Sequence, residues 1–149
     1  MIKAIFHSEI SNAEKLHDLF QVSYRIEAAL LGATDFPPLN RSIIDFQNSN
    51  TQFYGFWKDD VLAAAVEIDQ LKNTLKICSL VVHPNYFRQG IARKLLLFVE
   101  DYDDSETLVV ETGWANAPAM ALYEKFGFQE TREYIGPGGI KKKCFSKLK

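Results

Sequence analysis

Three cations stand where a helix ordinarily favours acids. In SLVVHPNYFRQGIARKLLLFVE, Ser79 to Glu100, a strand-like run leads through a Pro-marked turn into a helix opening near Gln89 or Gly90. Arg88, Arg93 and Lys94 crowd its first turn, while Glu100 and Asp101 close its last. The free N–H groups of a helix N-terminus carry partial positive charge, so bases are disfavoured there. One reading is an anion site, in which the Gly-containing turn aims several N–H groups at phosphate oxygens and the three cations assist. The plainer reading is that the three extend into water, each losing roughly a few tenths of a kcal/mol to the dipole. GxxxxGK followed by Ser or Thr is absent, as is GxGxxG, which argues against a P-loop NTPase and a Rossmann dinucleotide site. Glu111 interrupts the apolar run LVVET; unpaired burial would be costly there, so it either faces a wet cleft or pairs with an Arg or Lys. No metal is expected, because His7, His17 and His83 lie scattered without CxxC or HxxxH spacing. Cys78 and Cys144 fall in apolar strand-like runs, where free cysteine behaves as a small buried hydrophobe.

The elements that must position these residues alternate along the chain. IKAIFH reads as a strand, and Ser11 to Gly32 as an amphipathic helix with Leu16, Leu19, Phe20, Ser23, Ile26 and Leu30 on one face. Ser11 and Glu14 have capping-box spacing, and Gly32 offers the stop. Pro37 and Pro38 forbid continuation, and a short helix from about Asn40 to Asn48 is expected next. QFYGFWK and VLAAAVEI flank Asp59 and Asp60 as an antiparallel hairpin, and TLKICSLVV adds a third strand. The helix from Gly90 turns Ile91, Ala92, Leu95, Leu96, Val99 and Tyr102 to one side. TLVVETG is a strand, NAPAMALYEKF a helix capped by Asn116 and stopped at Gly127, and FQETREYI a strand. The turn GPGG then leads into a last strand around KKKCFSKL. The order β-α-α-β-β-β-α-β-α-β-β predicts an α/β fold, one mixed sheet covered by helices.

Bulk properties agree with one globular domain spanning residues 1–149, with 47% hydrophobic and 24% charged residues. A net charge of −2 argues against recruitment of nucleic acid or an anionic membrane. The first residues show no basic region followed by a long apolar core, and no window approaches the roughly 18 apolar residues of a span, so a cytoplasmic protein is expected.

Two stretches carry a resemblance. VVHPNYFRQGIARKLL is similar to the acetyl-CoA-binding signature of the GNAT acetyltransferase superfamily, loosely V-x-P-x-x-Q/R-x-x-G-x-G/A, with Gly90 and Ala92 in the last two places. NAPAMALYEKFGF resembles that superfamily's second signature, N-x-x-A-x-x-L-Y-x-x-x-G-F, through Asn116, Ala119, Leu122, Tyr123, Gly127 and Phe128. In order and on suitable elements, the two together resemble the family over about residues 52 to 149. Phe87 stands where the family has Gln or Arg, which touches cofactor affinity, with Arg88 or Gln89 as substitutes.

The resemblance implies a GNAT-like fold and an acetyl-CoA-dependent N-acetyltransferase. It implies a pyrophosphate site on the N–H groups from Arg88 through Gln89, Gly90, Ile91 and Ala92 to Arg93. Asn116 joins this cofactor set, Leu80 meets the acetyl carbonyl, and Val81 and Val82 flank the pantetheine arm. Tyr123 is the implied acid for the departing thiolate; the plainer reading is an aromatic packed at a helix end. An acid on the strand before the cofactor loop is not supported, because Lys76 falls near that place. The stretch from Val109 to Phe128 instead resembles ribosomal-protein alanine acetyltransferases, in which a Glu precedes the Tyr by the same 12 residues as Glu111 precedes Tyr123. Glu111 is therefore the implied base, directly or through water, with Glu67 as backup.

The resemblance places the acceptor between LLGATDFPPLN and EYIGPGGIKKK, which offer Asp35 and Tyr134. Asp35 serves either to hold an ammonium or as a turn residue. Lys141 to Lys143 read as a solvated strand edge. The expected partners are acetyl-CoA and a primary amine of a small molecule or peptide. Oligomeric state is left open, a homodimer included. The alternative function is a GNAT-shaped acyl-CoA binding or sensing module with little turnover.

Overall fold

The computed structural model describes Met1–Lys149, and its strands and helices follow the expected order. They are β1 (Ile2–Ile5), α1 (Ile10–Leu31), α2 (Ile43–Gln47), β2 (Gln52–Lys58), β3 (Val61–Leu71), β4 (Thr74–Val82), α3 (Ile91–Glu100), β5 (Thr107–Gly113), α4 (Ala117–Lys125), β6 (Gln129–Ile135) and β7 (Lys141–Leu148). One seven-stranded sheet runs β1-β2-β3-β4-β5-β7-β6. All neighbours are antiparallel except β4 and β5, which are parallel with α3 as their crossover.

β3 lies inside the sheet between β2 and β4 and is buried on both faces, which explains its nearly unbroken apolar sequence. Ala64, Val66 and Ile68 join Ile91, Leu95, Leu96, Val99 and Tyr123 in one core, so α3 and α4 cover that face. Ala65 alternates to the other face and meets Leu16, Leu19, Phe20 and Phe46 beneath α1 and α2.

Several local expectations change. Ser11 does not cap α1; Glu9 does, without a side-chain bond, and Ser11 sits exposed within the first turn. The capping box belongs to α2, where the Asp45 N–H donates to Ser42 Oγ at 3.1 Å and the Ser42 N–H to Asp45 Oδ2 at 2.8 Å. The helix expected over Asn40 to Asn48 is split: Pro37–Asn40 form a 3-10 turn, and extended Arg41 and Ser42 separate it from α2. Tyr102 lies beyond the end of α3, and its hydroxyl meets that of Tyr54 at 2.9 Å. Leu30 is 48% exposed, because the last turns of α1 overhang a gap in the sheet.

That gap is the fold's main functional consequence. Ile68 pairs with Ile77 and Glu67 with Ser79, which leaves Cys78 as an extra residue in β4. Such a bulge bends its strand. Pairing between β4 and β5 runs from Thr74 with Thr107 to Ile77 with Val110 and then stops, so the strands diverge from Cys78 onward.

Candidate active site

The divergence opens a cleft of about 470 Å³ between the last half of β4 and the end of β5. The edge of β4 facing it follows from antiparallel alternation. The His83 N–H donates to the Ala63 carbonyl at 2.8 Å, so Val81 also bonds to β3 while the N–H and C=O groups of Leu80 and Val82 point the other way. With β5 gone, these groups face the cleft. A strand that reads as core therefore presents unpaired polar backbone.

The loop after β4 supplies donors at one end. His83 Nδ1 accepts from the Asn85 N–H, Pro84–Tyr86 make a 3-10 turn, and Arg88 (φ 62°) and Gly90 (φ 73°) take left-handed geometry to start α3. The Phe87 N–H bonds to Pro84 and the Lys94 N–H to Gly90. None of the loop, cap or side-chain hydrogen bonds uses the N–H groups between them, from Arg88 to Arg93. Arg88, Gly90, Ile91, Ala92 and Arg93 line the cleft, together with the half-exposed Phe87. Two side chains point elsewhere. The Gln89 side chain turns away and accepts from Lys58 Nζ at 2.8 Å. Lys94 Nζ lies 5.5 Å from the Phe56 ring centroid, away from the lining.

Tyr123 forms part of the cleft floor. It is 5% exposed, and none of the protein's hydrogen bonds involves its hydroxyl. Burial, with smaller contributions from Glu27 and Tyr24, pushes its pKa well above that of a free phenol, so it keeps its proton at neutral pH. Asn116 caps α4 by accepting the Ala119 N–H at 3.3 Å and also lines the cleft.

Glu111 lies on β5 in the same cleft, and it is at once a cleft group and a paired one. Tyr134 donates to its Oε1 at 2.6 Å, Lys142 Nζ stands 3.6 Å from that oxygen, and Cys144 Sγ is 3.6 Å from Oε2. Burial raises its pKa, but the Tyr134 bond and Lys142 outweigh it and hold the carboxyl below its ordinary range. Tyr134 touches the site only through Glu111 and does not line the cleft. Asp35 is not brought in: it is exposed, and its backbone packs beside Gly138.

Glu67 is elsewhere. It is 3% exposed and accepts from Arg41 Nη1 and Nη2, each at 2.8 Å, from Thr51 Oγ1 at 2.6 Å and from Ser79 Oγ at 3.0 Å. Burial alone would raise its pKa; the Arg41 and Thr51 bonds hold it down. Arg41 stacks 4.2 Å from the Phe46 ring centroid. With its oxygens occupied and outside the cleft lining, Glu67 is an anchor for the α1–α2 connection.

Two residues of α1 escaped the sequence reading. Tyr24 lines the cleft, with its hydroxyl 3.0 Å from Ser79 Oγ and its pKa pushed up to about 12, chiefly by burial. Glu27 lines it one turn later. The available signal was position: Glu27 follows Phe20 by seven residues, on the helix's apolar side.

The chain is similar to known proteins throughout. Residues 13–128 match the acetyltransferase (GNAT) family. The chain belongs to that family. Among curated relatives, the UPF0157 protein YqkA of Bacillus subtilis is 34% identical over 141 residues, covering 94% of this chain and 41% of that protein. The bS18-alanine N-acetyltransferase of Salmonella typhimurium is 35% identical over 77 residues, covering 48% of this chain and 51% of that protein. This GNAT chain thus spans about half the length of these relatives or less. Among solved structures, the PaiA N-acetyltransferase of Thermoplasma acidophilum in complex with coenzyme A superposes with a TM-score of 0.77 at 18% identity, over 100% of this chain and 99% of that one. The ribosomal-protein-S18-alanine N-acetyltransferase of Escherichia coli gives 0.73 at 22% identity, over 99% and 92%.

The GNAT cleft fits an acyl-CoA on its own evidence. Consecutive free N–H groups flanked by Arg88 and Arg93 suit a pyrophosphate. The outward backbone of Leu80 and Val82 suits the amides of a pantetheine arm. Tyr123 lines the same cleft. Phe87 brings no polar side chain to the loop; the neighbouring Arg88 brings one to the cleft, and Gln89 does not.

Proposed function

We propose that this chain is an acetyl-CoA-dependent N-acetyltransferase that modifies a primary amine of a small molecule or peptide. The observation that carries the reading is the parting of β4 from β5, which exposes backbone donors in the cleft that the N–H-rich loop and Tyr123 also line. Bound acetyl-CoA supplies an activated acetyl group. The Leu80 N–H faces the position where carbonyl charge develops, so it stabilises the transition state more than the ground state. Glu111, held ionised by Tyr134 and Lys142, takes the acceptor's proton directly or through water. Tyr123 gives its proton to the departing sulfur. An N–C bond forms as the C–S bond breaks, and the proton lost by nitrogen balances the one sulfur gains.

The test has two parts. Acetyl-CoA raises the Tm, and a panel of amines and peptide N-termini releases free CoA from it. Tyr123→Phe keeps the Tm shift and loses about 10²-fold or more in CoA release. A Tm shift without CoA release from any amine would favour the binding-module reading, and no Tm shift at any concentration would sink both.

A further inference from the structure

The proposed transferase leaves its acceptor undefined, and the end of the cleft under α1 carries information about it. Away from the loop at Arg88, the lining turns apolar through Ile26, Leu30, Phe36 and Ile140. Only two carboxylates line the cleft, Glu27 and Glu111, and the one lysine there is Lys142. Glu111 is committed to Tyr134, Cys144 and Lys142. Glu27 takes part in none of the protein's ion pairs.

We propose that Glu27 is the binding site for the acceptor's ammonium, and that the acceptor is a monocation whose amine is carried on an apolar group. This rests on the transferase reading and adds to it a residue from α1 that neither family motif contains.

Charge sets the first half of the specificity. Glu111 and Lys142 offset each other, so Glu27 leaves one net negative charge at this end, matched by one ammonium. A polycation would place further charges against Ile26, Phe36 and Ile140, where the cleft offers no second free carboxylate to repay their desolvation. Shape sets the second half. A neighbouring hollow of about 410 Å³ shares Phe36, Pro38, Ile140 and Lys142 with the cleft, and Asn40, Arg41 and Asp45 make the rest of its lining largely polar. The apolar body of the acceptor is therefore held on the cleft side, against Ile26, Phe36 and Ile140, and not in the polar hollow. The surroundings of Glu27 also favour a cationic guest: burial raises its carboxyl pKa, with Asn116 and Lys142 acting in the opposite direction. Supplying a cation relieves that desolvated charge.

The experiment uses the full chain with CoA present and two probes, 2-phenylethylamine and ethanolamine, with binding followed by NMR shift titration. The unaltered chain binds 2-phenylethylamine at least about tenfold more tightly than ethanolamine, as an added ring buried in an apolar lining requires. Glu27→Gln, which keeps size and hydrogen bonding but removes the charge, weakens 2-phenylethylamine about tenfold or more. Glu27→Asp retains part of the affinity. A Glu27→Gln affinity within twofold of the unaltered chain overturns the proposal, as does equal binding of the two probes or failure of the unaltered chain to bind either. The acetyl-CoA Tm shift, measured on the same samples, judges the transferase reading separately: it persists in Glu27→Gln, so its loss would indict the fold or the cofactor site and not the role of Glu27.

Discussion

Glu111 and Tyr123 meet the same cleft with opposed electrostatics, and that opposition fixes how activity depends on pH. Glu111 is held below the ordinary carboxylate range despite its burial, by Tyr134 and Lys142, and Tyr123 is raised by burial. A base with a depressed pKa is already ionised throughout the neutral range, so its titration does not limit the reaction there. The rise of kcat/KM with pH should therefore follow the acceptor amine's own deprotonation, and the midpoint should move when amines of different basicity are compared. Glu111→Gln should lower kcat by about 10²-fold or more without moving that midpoint. A midpoint that stays fixed across amines would instead assign the limb to a protein group. Sequence reached these two residues because both lie in a recognisable spacing on a strand and a helix. It did not reach Glu27, since one glutamate in a charged helix looks solvated until the gap beneath the helix is known. Gln89 is divided: its backbone N–H belongs to the loop, while Lys58 claims its side chain.

Between elements, the Arg41–Glu67 pair ties the α1–α2 connection to the bulged part of the sheet. Arg41 bonds both Glu67 oxygens, Glu67 accepts from Ser79 beside the extra residue Cys78, and Ser79 meets Tyr24 of α1. The connection is thus fastened to the strand that forms the cleft wall. Arg41→Ala strands a buried carboxylate, and should destabilise the fold by about 3–5 kcal/mol, read from the urea midpoint. Replacing both partners, as in Arg41→Met with Glu67→Gln, should recover much of this, because no uncompensated charge remains. A loss below about 1 kcal/mol for Arg41→Ala would show the pair to be solvated in practice. This link was invisible in the sequence, where Arg41 and Glu67 are 26 residues apart and each reads as surface charge. The elements themselves were legible because apolar periodicity dominates them. Their ends were less so, as at Ser11, whose capping-box spacing went unused while Ser42 and Asp45 formed the real box.

At the scale of the whole molecule, folding moves several carboxylates in one direction and Glu27 in the other, which gives stability a definite pH profile. Glu67 and Asp103 are held below their ordinary range although burial opposes it, Glu67 by Arg41 and Thr51, Asp103 by Ser105, Gln70 and Lys149. A depressed carboxyl contributes stability that is complete above its unfolded pKa and disappears as pH falls through its folded one. Asp103 adds a whole-chain element, since its carbonyl and carboxylate both accept from Lys149 at the end of the chain, at 2.7 and 3.1 Å. Glu27 has the reverse sign: raised by burial, it costs stability while ionised, and protonation relieves that cost. The Tm should therefore hold level or rise slightly as pH falls from neutral toward the raised Glu27 value, then drop steeply below about 4, where unfolded carboxylates protonate. Glu27→Gln should remove the slight rise and leave the acid drop, while Glu67→Gln should soften the drop and leave the rise. A Tm that declines steadily from neutral pH would mean that Glu27 is solvated in the free protein, and it would remove the desolvation on which its affinity for an ammonium partly depends.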